Sequence, residues 1–267
     1  MDLHRILKAN EGSLSSADRR QDLWQTCHEA DSGECHVNAT EMSRELKMHA
    51  RKSGADVVGI ADLSKLKPLR QAYEEMPPGD WRSGVVFGVR MPSSVIAGIR
   101  PDDPGRLYAY EYGVVSEILD RIAFDLVVLL EDMGYPALPV PSRGWAPPQL
   151  ASLLALARAA GLGALGKNQL LLREGFGCRL RFGAVLTSVP LAYDSELNQD
   201  PCGSCRACID ACPVRAIKET PYSGTDIRPD AVDKDACWNY TKKWLETPGY
   251  GRSICGVCIK VCRGPFK

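Results

Sequence analysis

The sequence predicts an α+β protein, in which a layered domain is followed by a separate cysteine-rich domain. Short apolar runs typical of strands are separated by longer stretches with helical periodicity, which favours a layered arrangement of helices and strands. Eight of the eleven cysteines fall within residues 202–267. Because the chain has 267 residues, about the first 200 must form at least one further domain. We therefore predict an arm over residues 1–40, a main domain over 41–196 and a cysteine-rich domain over 197–267.

Composition limits the possible classes of function. Hydrophobic residues make up 45% of the chain, as in a globular protein with a real core. Lys plus Arg and Asp plus Glu both total 33, so the formal net charge is zero. This balance argues against a nucleic-acid partner that is held by a broad basic field. The longest apolar stretch, Leu150–Gly166, contains Arg158, so no membrane span is expected. Many cysteines without a visible signal peptide predict reduced thiols in a cytoplasmic protein.

The polar residues 1–37 predict an arm or a peripheral helix. Cys27 and His28, and again Cys35 and His36, are adjacent in this arm. A paired Cys–His metal site is one interpretation, but its spacing matches no familiar site. We favour two incidental, exposed thiols.

The main domain is predicted to begin with a helix. Asn38, with Glu41 three residues later, is typical of a helix N-terminus, and the apolar face that follows ends at Gly54. Two buried strands are predicted next, at residues 56–61 (DVVGIA) and residues 84–89 (GVVFGV).

A long helix is expected to cross the core of this domain. Residues 92–105, rich in Pro, Gly and Asp, predict a loop before it. The helical pattern runs from Leu107 to Met133 and is ended by Gly134. Its wide apolar surface comprises Ile118, Ile122, Phe124, Leu126, Val127, Leu129 and Leu130.

Three segments complete the domain. Residues 136–148 are rich in proline and predict a loop, and residues 149–160 predict a helix that ends at a Gly-Leu-Gly turn. Residues 181–189 (RFGAVLTSV) predict the strand that leads into the cysteine-rich domain.

The cysteine-rich domain carries the strongest chemical signal. Its first four cysteines have the spacing C-x2-C-x2-C-x3-C-P, which is typical of thiolates that bind 4Fe–4S clusters; they are Cys202, Cys205, Cys208 and Cys212. A second set of four follows, at Cys237, Cys255, Cys258 and Cys262. Eight thiolates suffice for two four-thiolate clusters, which predicts one-electron redox chemistry.

The ligands are expected to cross between the two sets, because the fourth cysteine of such a run usually binds the other cluster. This rule assigns the first cluster to Cys202, Cys205, Cys208 and Cys262, and the second cluster to Cys212, Cys237, Cys255 and Cys258. Structural zinc is a weaker alternative, because the domain contains no histidine. A disulfide framework fits the tight spacing poorly.

Several segments resemble one group of reductases. Residues 160–168 (AGLGALGKN) look like the AGLGxxGKN segment of epoxyqueuosine reductases. Residues 182–194 (FGAVLTSVPLAYD) look like the strand that follows it there and in corrinoid reductive dehalogenases. The first cysteine run is similar to both, whereas residues 255–262 (CGVCIKVC) are closer to the dehalogenases. The resemblance covers residues 41–267.

This resemblance implies a nitroreductase-like α/β/α domain that binds cobalamin in its base-off form, followed by a ferredoxin-like domain with two 4Fe–4S clusters. It also implies an electron donor of the ferredoxin or flavodoxin type. Electrons would pass through the clusters to the corrinoid and on to a small organic substrate, unless the corrinoid itself is the substrate. The protein would contribute orientation, electrostatics and a proton donor.

The resembling enzymes place an acid or a tyrosine donor near the start of the long helix, where Tyr108, Tyr110 and Tyr112 alternate. A tyrosine in a dry pocket beside a cation can protonate a developing anion. We favour Tyr112 as the donor, with Tyr110 as the second choice. Aromatic packing at the start of a helix is the alternative.

The glycine-rich turn supplies further candidates. Glycines let backbone N–H groups approach a polar ligand closely, and Lys167 adds a point charge, so Lys167 is a candidate for catalysis and for cofactor binding. A solvated lysine at a helix end is the alternative. Cys178 is expected to be a small packing residue. The predicted cofactor-binding set is Tyr108, Arg143, Gly163, Gly166, Lys167 and Asn168.

The main hypothesis is thus an iron–sulfur reductase that uses cobalamin and resembles the reductive dehalogenases. One alternative is a ferredoxin-type electron-transfer module without an organic cofactor or substrate chemistry of its own. A flavin in place of the corrinoid is another, because nitroreductase-like folds elsewhere hold flavin. A tRNA-modifying reductase of the epoxyqueuosine type is a third, and the neutral charge of the chain disfavours it.

Overall fold

The computed structural model describes residues 38–66, 80–142, 153–219 and 230–262. Residues 1–37 of the predicted arm, with Cys27 and Cys35, lie outside these ranges, as do Arg143 and residues 149–152 of the predicted helix. In chain order the elements are α1 (Ala39–Lys52), β1 (Val57–Asp62), β2 (Ser83–Arg90), α2 (Ser93–Ala97), α3 (Arg106–Asp132), β3 (Ala137–Val140), α4 (Leu153–Ala159), β4 (Ala164–Leu165), β5 (Leu171–Leu172), β6 (Leu180–Thr187), α5 (Ala207–Ala211), α6 (Lys234–Thr241), α7 (Lys243–Glu246) and α8 (Val257–Lys260).

A four-stranded antiparallel sheet, in the order β1–β2–β6–β3, forms the centre of the main domain. The predicted strands at residues 56–61, 84–89 and 181–189 are confirmed as β1, β2 and β6. All three are almost entirely buried, because helices cover both faces of the sheet. Val85 pairs with Ile60 on one side and with Val185 on the other.

The two faces of the sheet bury separate apolar clusters, so the domain has three layers. On one face, α1, α2 and α3 pack over side chains that include Ile60, Phe87 and Val185. On the other face, α4 and the small β4–β5 hairpin pack over side chains that include Val86, Phe182 and Leu186. Alternation along the strands sends successive side chains to opposite faces. The mixed α and β content and the layering follow from these two faces.

Helix α1 starts where the sequence predicts. The side chain of Asn38 accepts hydrogen bonds from the backbone N–H groups of Thr40 (3.1 Å) and Glu41 (3.3 Å). This contact satisfies two of the N–H groups that a helix leaves without partners in its first turn.

Helix α3 is the predicted central helix, and Gly134 ends it with a φ of 83°. Leu119, Ile122 and Leu126 are fully buried against the sheet. Phe124, which we expected on the same apolar surface, is instead 66% exposed. Two residues along a helix correspond to about 200° of rotation, so Phe124 faces away from the side occupied by Ile122 and Leu126.

Two predicted loops contain regular structure. Helix α2 interrupts residues 92–105, and strand β3 occupies residues 137–140 of the predicted loop at 136–148. Strand β3 contains Pro139, which argued against a strand in the sequence. Because β3 is at the edge of the sheet and pairs with β6 alone, the missing N–H group of the proline costs little.

The cysteine-rich segment packs against the start of the main domain's long helix. The hydroxyl of Tyr250 donates to Asp103 (2.5 Å), and that of Tyr240 donates to the carbonyl of Pro101. Arg252 Nε donates to the carbonyl of Ala109 (3.2 Å). These contacts place the second cysteine set beside α3. Among the described helices, none combines the length and apolar character needed to cross a membrane.

Candidate functional site

The first cysteine run forms one group of neighbouring thiols. Burial and nearby thiolates raise the pKa of Cys208 to about 11; those neighbours are Cys202, Cys262 and Cys205. Burial also raises the pKa of Cys202, with Cys262 and Cys205 among its neighbours. Cys262, the last cysteine in the chain, therefore lies with the first run rather than with the cysteines that immediately precede it.

The remaining four thiols form a second group. Burial and nearby thiolates raise the pKa of Cys258 to about 12; those neighbours are Cys255, Cys208, Cys237 and Cys212. Burial raises the pKa of Cys237, and Cys212 raises it further. Because Cys208 of the first group is among the thiols that raise the pKa of Cys258, the two groups adjoin.

None of the nine cysteines in the described ranges is in a disulfide. No three His, Cys, Asp or Glu side chains in those ranges lie close enough together to share a single metal ion. A four-iron cluster takes its thiolates from farther apart, at the corners of a cube. The raised pKa values mean that burial disfavours free thiolates here, which a bound cation or cluster would reverse.

Backbone N–H groups approach one sulfur atom of each group. The N–H of Lys167 donates to Cys202 Sγ (3.4 Å), and the N–H of Ala216 donates to Cys212 Sγ (3.3 Å). Such bonds stabilise negative charge on sulfur, and they are among the features that tune iron–sulfur centres.

Tyr108 connects the second group of thiols to helix α3. Its ring is 3% exposed and lies against Gly256, where an added Cβ would be 2.9 Å from Tyr108 Cε1. Gly256 also has a φ of 75°, so a side chain there would be both strained and blocked. Burial raises the pKa of Tyr108, as do the nearby Tyr112, Cys258 and Cys255.

Tyr112 lies one helical turn farther along α3 and packs edge-on against Tyr108, with ring centroids 6.2 Å apart. The guanidinium carbon of Arg181 lies 3.4 Å from the centroid of the Tyr112 ring, and that of Arg252 lies 5.7 Å away. A tyrosine thus has two cations beside its ring, near the second group of thiols.

Arg181 is the functional candidate that the sequence reasoning missed. Its guanidinium donates to the carbonyl of Tyr112 (2.7 Å), to Ser116 Oγ (2.6 Å) and to the carbonyl of Ser142 (3.0 Å). Burial lowers the pKa of Arg181, and nearby Tyr112 opposes that effect. One signal was available, since Arg181 is a charged residue within an otherwise apolar strand.

The other predicted site residues lie in two places. Tyr110 is 66% exposed on α3, away from the packed pair of Tyr108 and Tyr112. Residues 163–168 lie instead beside Cys202 and the β4–β5 hairpin, because Gly166 abuts Cys202 Sγ and Lys167 donates to it. Arg143 is outside the described residues.

Comparison with known proteins identifies the type of the cysteine-rich domain. A family model described as a 4Fe–4S double cluster binding domain matches residues 201–264, which confirms the two-cluster prediction for the cysteine-rich domain.

Two curated relatives match most of this chain. A tetrachloroethene reductive dehalogenase of Desulfitobacterium hafniense is 31% identical over 278 residues, which covers 83% of this chain and 48% of the relative. The chain thus spans about half the length of that dehalogenase. An epoxyqueuosine reductase of Leadbetterella byssophila is 39% identical over 254 residues, which covers 83% of this chain and 79% of the relative.

Solved structures share the fold. A reductive dehalogenase structure from work on B12-dependent dehalogenation has a TM-score of 0.68 at 22% identity and covers 87% of this chain and 33% of its own. An epoxyqueuosine reductase solved with a modified tRNA-Tyr stem loop has a TM-score of 0.50 at 20% identity and covers 76% of this chain and 57% of its own. Because that relative binds tRNA, the expectation that nucleic acid is not a partner of this chain finds no support.

The double-cluster match, the shared fold and the identity to relatives that cover most of this chain agree with one another. The chain therefore belongs to the family of the epoxyqueuosine reductases, it carries a double 4Fe–4S cluster binding domain, and it is also similar to the reductive dehalogenases.

Proposed function

We propose that this chain is a corrinoid-dependent reductase that passes electrons from two 4Fe–4S clusters to cobalamin and on to a small organic substrate. One observation carries the proposal. The second group of thiols adjoins Tyr108, and Tyr108 packs on the Tyr112–Arg181 pair. A one-electron relay would therefore end next to a side chain that can donate a proton.

The cluster ligands are proposed to cross as the spacing rule requires. The thiols that raise one another's pKa values support this assignment, because Cys262 neighbours Cys202 and Cys208, whereas Cys212 neighbours Cys237 and Cys255. The first cluster would thus be held by Cys202, Cys205, Cys208 and Cys262, and the second by Cys212, Cys237, Cys255 and Cys258.

The contact between Gly256 and Tyr108 also supports an order for the relay. Electrons from a ferredoxin- or flavodoxin-type donor would enter at the first cluster, because the thiols that neighbour Tyr108 are Cys255 and Cys258 of the second group. They would then pass to the second cluster, since the two groups of thiols adjoin at Cys208 and Cys258. The second cluster would be the one that faces the substrate site.

Tyr112 is the proposed proton donor. Its ring lies against the guanidinium of Arg181 (3.4 Å), and an arginine stays charged near neutral pH. After the phenol has given up its proton, this cation would stabilise the phenolate that remains. The hydrogen bonds of Arg181 to Ser116 and Ser142 fix the guanidinium in place, so the stabilisation needs no rearrangement.

Cobalamin, when bound, would supply a strongly reducing metal centre that no side chain provides. The described residues that fit such a group are Tyr112 and Arg181, which give an aromatic ring with a fixed cation. Tyr108, which the sequence also predicted as a cofactor-binding residue, is enclosed by the core and lies between Tyr112 and the second group of thiols. Gly163 fits it less directly, because an added Cβ there would be 2.5 Å from the carbonyl oxygen of Leu172. That glycine serves a close approach within the chain.

Anaerobic reconstitution tests the proposal. Protein loaded with iron and sulfide should hold about eight iron atoms per chain, and added cobalamin should bind with a shift of its visible spectrum toward the base-off form. A chain that carries both clusters but leaves the spectrum of tens of micromolar cobalamin unchanged would contradict the proposal and favour the electron-transfer alternative.

A different observation favours a second candidate function. The epoxyqueuosine reductase relative is 39% identical to this chain, and the match covers 79% of that relative. In this case the substrate would be the epoxyqueuosine of a tRNA. One assay, with reduced methyl viologen as the electron donor, distinguishes the two candidate functions. Chloride release from tetrachloroethene favours the first, and conversion of epoxyqueuosine-containing tRNA favours the second.

A further inference from the structure

A tight turn at residues 166–170 lies against the first group of thiols. The N–H of Gly166 donates to the carbonyl of Leu170 (2.9 Å), and the N–H of Gln169 donates to the carbonyl of Gly166 (2.8 Å). An added Cβ at Gly166 would be 2.5 Å from Leu172 Cδ1 and 3.4 Å from Cys202 Sγ. Glycine therefore lets the turn approach the sulfur atom without displacing the Leu172 side chain.

Lys167 brings a backbone dipole and a side-chain cation to the same place. Its N–H donates to Cys202 Sγ (3.4 Å). Its side chain is only 13% exposed, and Nζ lies 3.7 Å from Glu219 Oε1. Glu219 also pairs with Arg206, which stands between the ligands Cys205 and Cys208. The cation is thus held close to the first cysteine run.

Asn168 is linked to the same group through another thiol, Cys178. Its side chain is buried, Oδ1 accepts from the N–H of Leu170 (3.2 Å), and Nδ2 donates to Cys178 Sγ (3.7 Å). Cys178, which is 3% exposed, hydrogen-bonds in turn to Cys262. An amide side chain suits this position because it can accept and donate at once.

We propose that residues 166–168, together with Cys178, form the outer hydrogen-bonding shell of the first cluster and set its reduction potential. The inference rests on the ligand assignment proposed above, but it does not depend on a corrinoid. Hydrogen-bond donors and a nearby cation stabilise the extra negative charge of the reduced cluster, so they raise its potential. The segment that resembles AGLGxxGKN thereby ties the main domain to the cluster that accepts electrons first.

The test is a redox titration of the reconstituted iron–sulfur protein, without corrinoid, followed by electron paramagnetic resonance. The signal of the first cluster is the one that Cys205→Ala abolishes. In Lys167→Gln, the potential of this cluster should fall, because the cation is lost while Glu219 remains. The potential of the second cluster should stay unchanged.

Cys178→Ala provides a second test that does not depend on Lys167. It removes the thiol that hydrogen-bonds to Cys262, so the potential of the first cluster should again fall while the iron content stays at the level of the unmodified protein. Loss of iron would show that Cys178 is a ligand and would overturn the proposal. An unchanged potential in both variants, or an equal shift of both clusters, would overturn it as well.

Lys47→Gln is the matched control. Lys47 is also a partly buried lysine paired with a carboxylate, since its Nζ lies 2.7 Å from Asp194. It stands on α1, however, and its partner is Asp194 rather than Glu219, which pairs with Arg206 of the first cysteine run. Both potentials should be unaffected by this change. A shift as large as that of Lys167→Gln would mean that general loss of charge, rather than the turn at residues 166–168, sets the potential.

Discussion

At the scale of single residues, the environment of Tyr112 distinguishes it from the other tyrosines of α3. Tyr108 is enclosed by Gly256 and the core, and Tyr110 is exposed to solvent. Tyr112 alone of the three has a guanidinium 3.4 Å from its ring. The alternating tyrosines suggested a donor without deciding among them, because the deciding cation, Arg181, is about 70 positions away in sequence and is brought in by β6.

Tyr112→Phe tests this assignment. Phenylalanine keeps the ring on Arg181 but removes the proton, so turnover should fall by roughly 100-fold or more, whereas iron content and cobalamin spectrum should not change. Turnover is measured with reduced methyl viologen on whichever substrate the wild-type protein converts. Tyr110→Phe is the rival variant: if it loses activity and Tyr112→Phe does not, the second choice from the sequence is the donor.

At the scale of elements, helix α1 shows how far local sequence can be trusted. Its start at Asn38 and its end before Gly54 were predictable, since capping is a contact between near neighbours in the chain. Strand β3 was not predictable, because a proline-containing segment becomes a strand only when a neighbouring edge, here β6, is available to pair with it.

Removal of the α1 cap should be measurable. Asn38→Ala leaves the N–H groups of Thr40 and Glu41 without their side-chain acceptor, and it should lower the free energy of unfolding by about 1 kcal/mol. Urea denaturation under anaerobic conditions gives the value. Asn38→Asp keeps the acceptor and should stay near wild type, so equal losses in both variants would argue against capping as the cause.

The packing of α1 also predicts a pH dependence. Burial lowers the pKa of His49, and nearby Asp125 opposes this effect. The unfolded chain, with an imidazole pKa near 6.5, thus binds a proton before the folded chain does. The stabilisation from neutral His49 is complete above the pKa of the unfolded chain. It is lost as the pH falls from that value toward the lower pKa of the folded chain.

The free energy of unfolding should therefore decrease as the pH is lowered from 7.5 to about 5.5. Below about pH 5.5 carboxylates also begin to titrate, so the measurement stops there. In His49→Gln this slope should be shallower, because the titrating group has been removed. An identical slope in the variant would assign the pH dependence to other groups.

At the scale of the whole molecule, the crossing of ligands joins the ends of the cysteine-rich domain. If Cys205 and Cys262 serve one cluster, the double variant Cys205→Ala, Cys262→Ala should lose about four iron atoms, no more than either single variant. The double variant Cys205→Ala, Cys255→Ala should lose about eight. Iron analysis after anaerobic reconstitution measures both, and the second double variant shows what the loss of both clusters looks like. A loss of about eight iron atoms from the first double variant would mean that each run serves its own cluster.

The cysteine spacing alone determined the number and type of clusters, because the ligands of such a site are encoded as near neighbours in the chain. The alternation of apolar residues determined the buried strands for the same reason, since a strand's faces repeat every second residue. Only the tertiary structure decided that the glycine-rich turn lies on the first group of thiols and that Arg181 lies on Tyr112. Those contacts join residues dozens of positions apart, and no local pattern specifies which distant side chain fills the space that a fold leaves open.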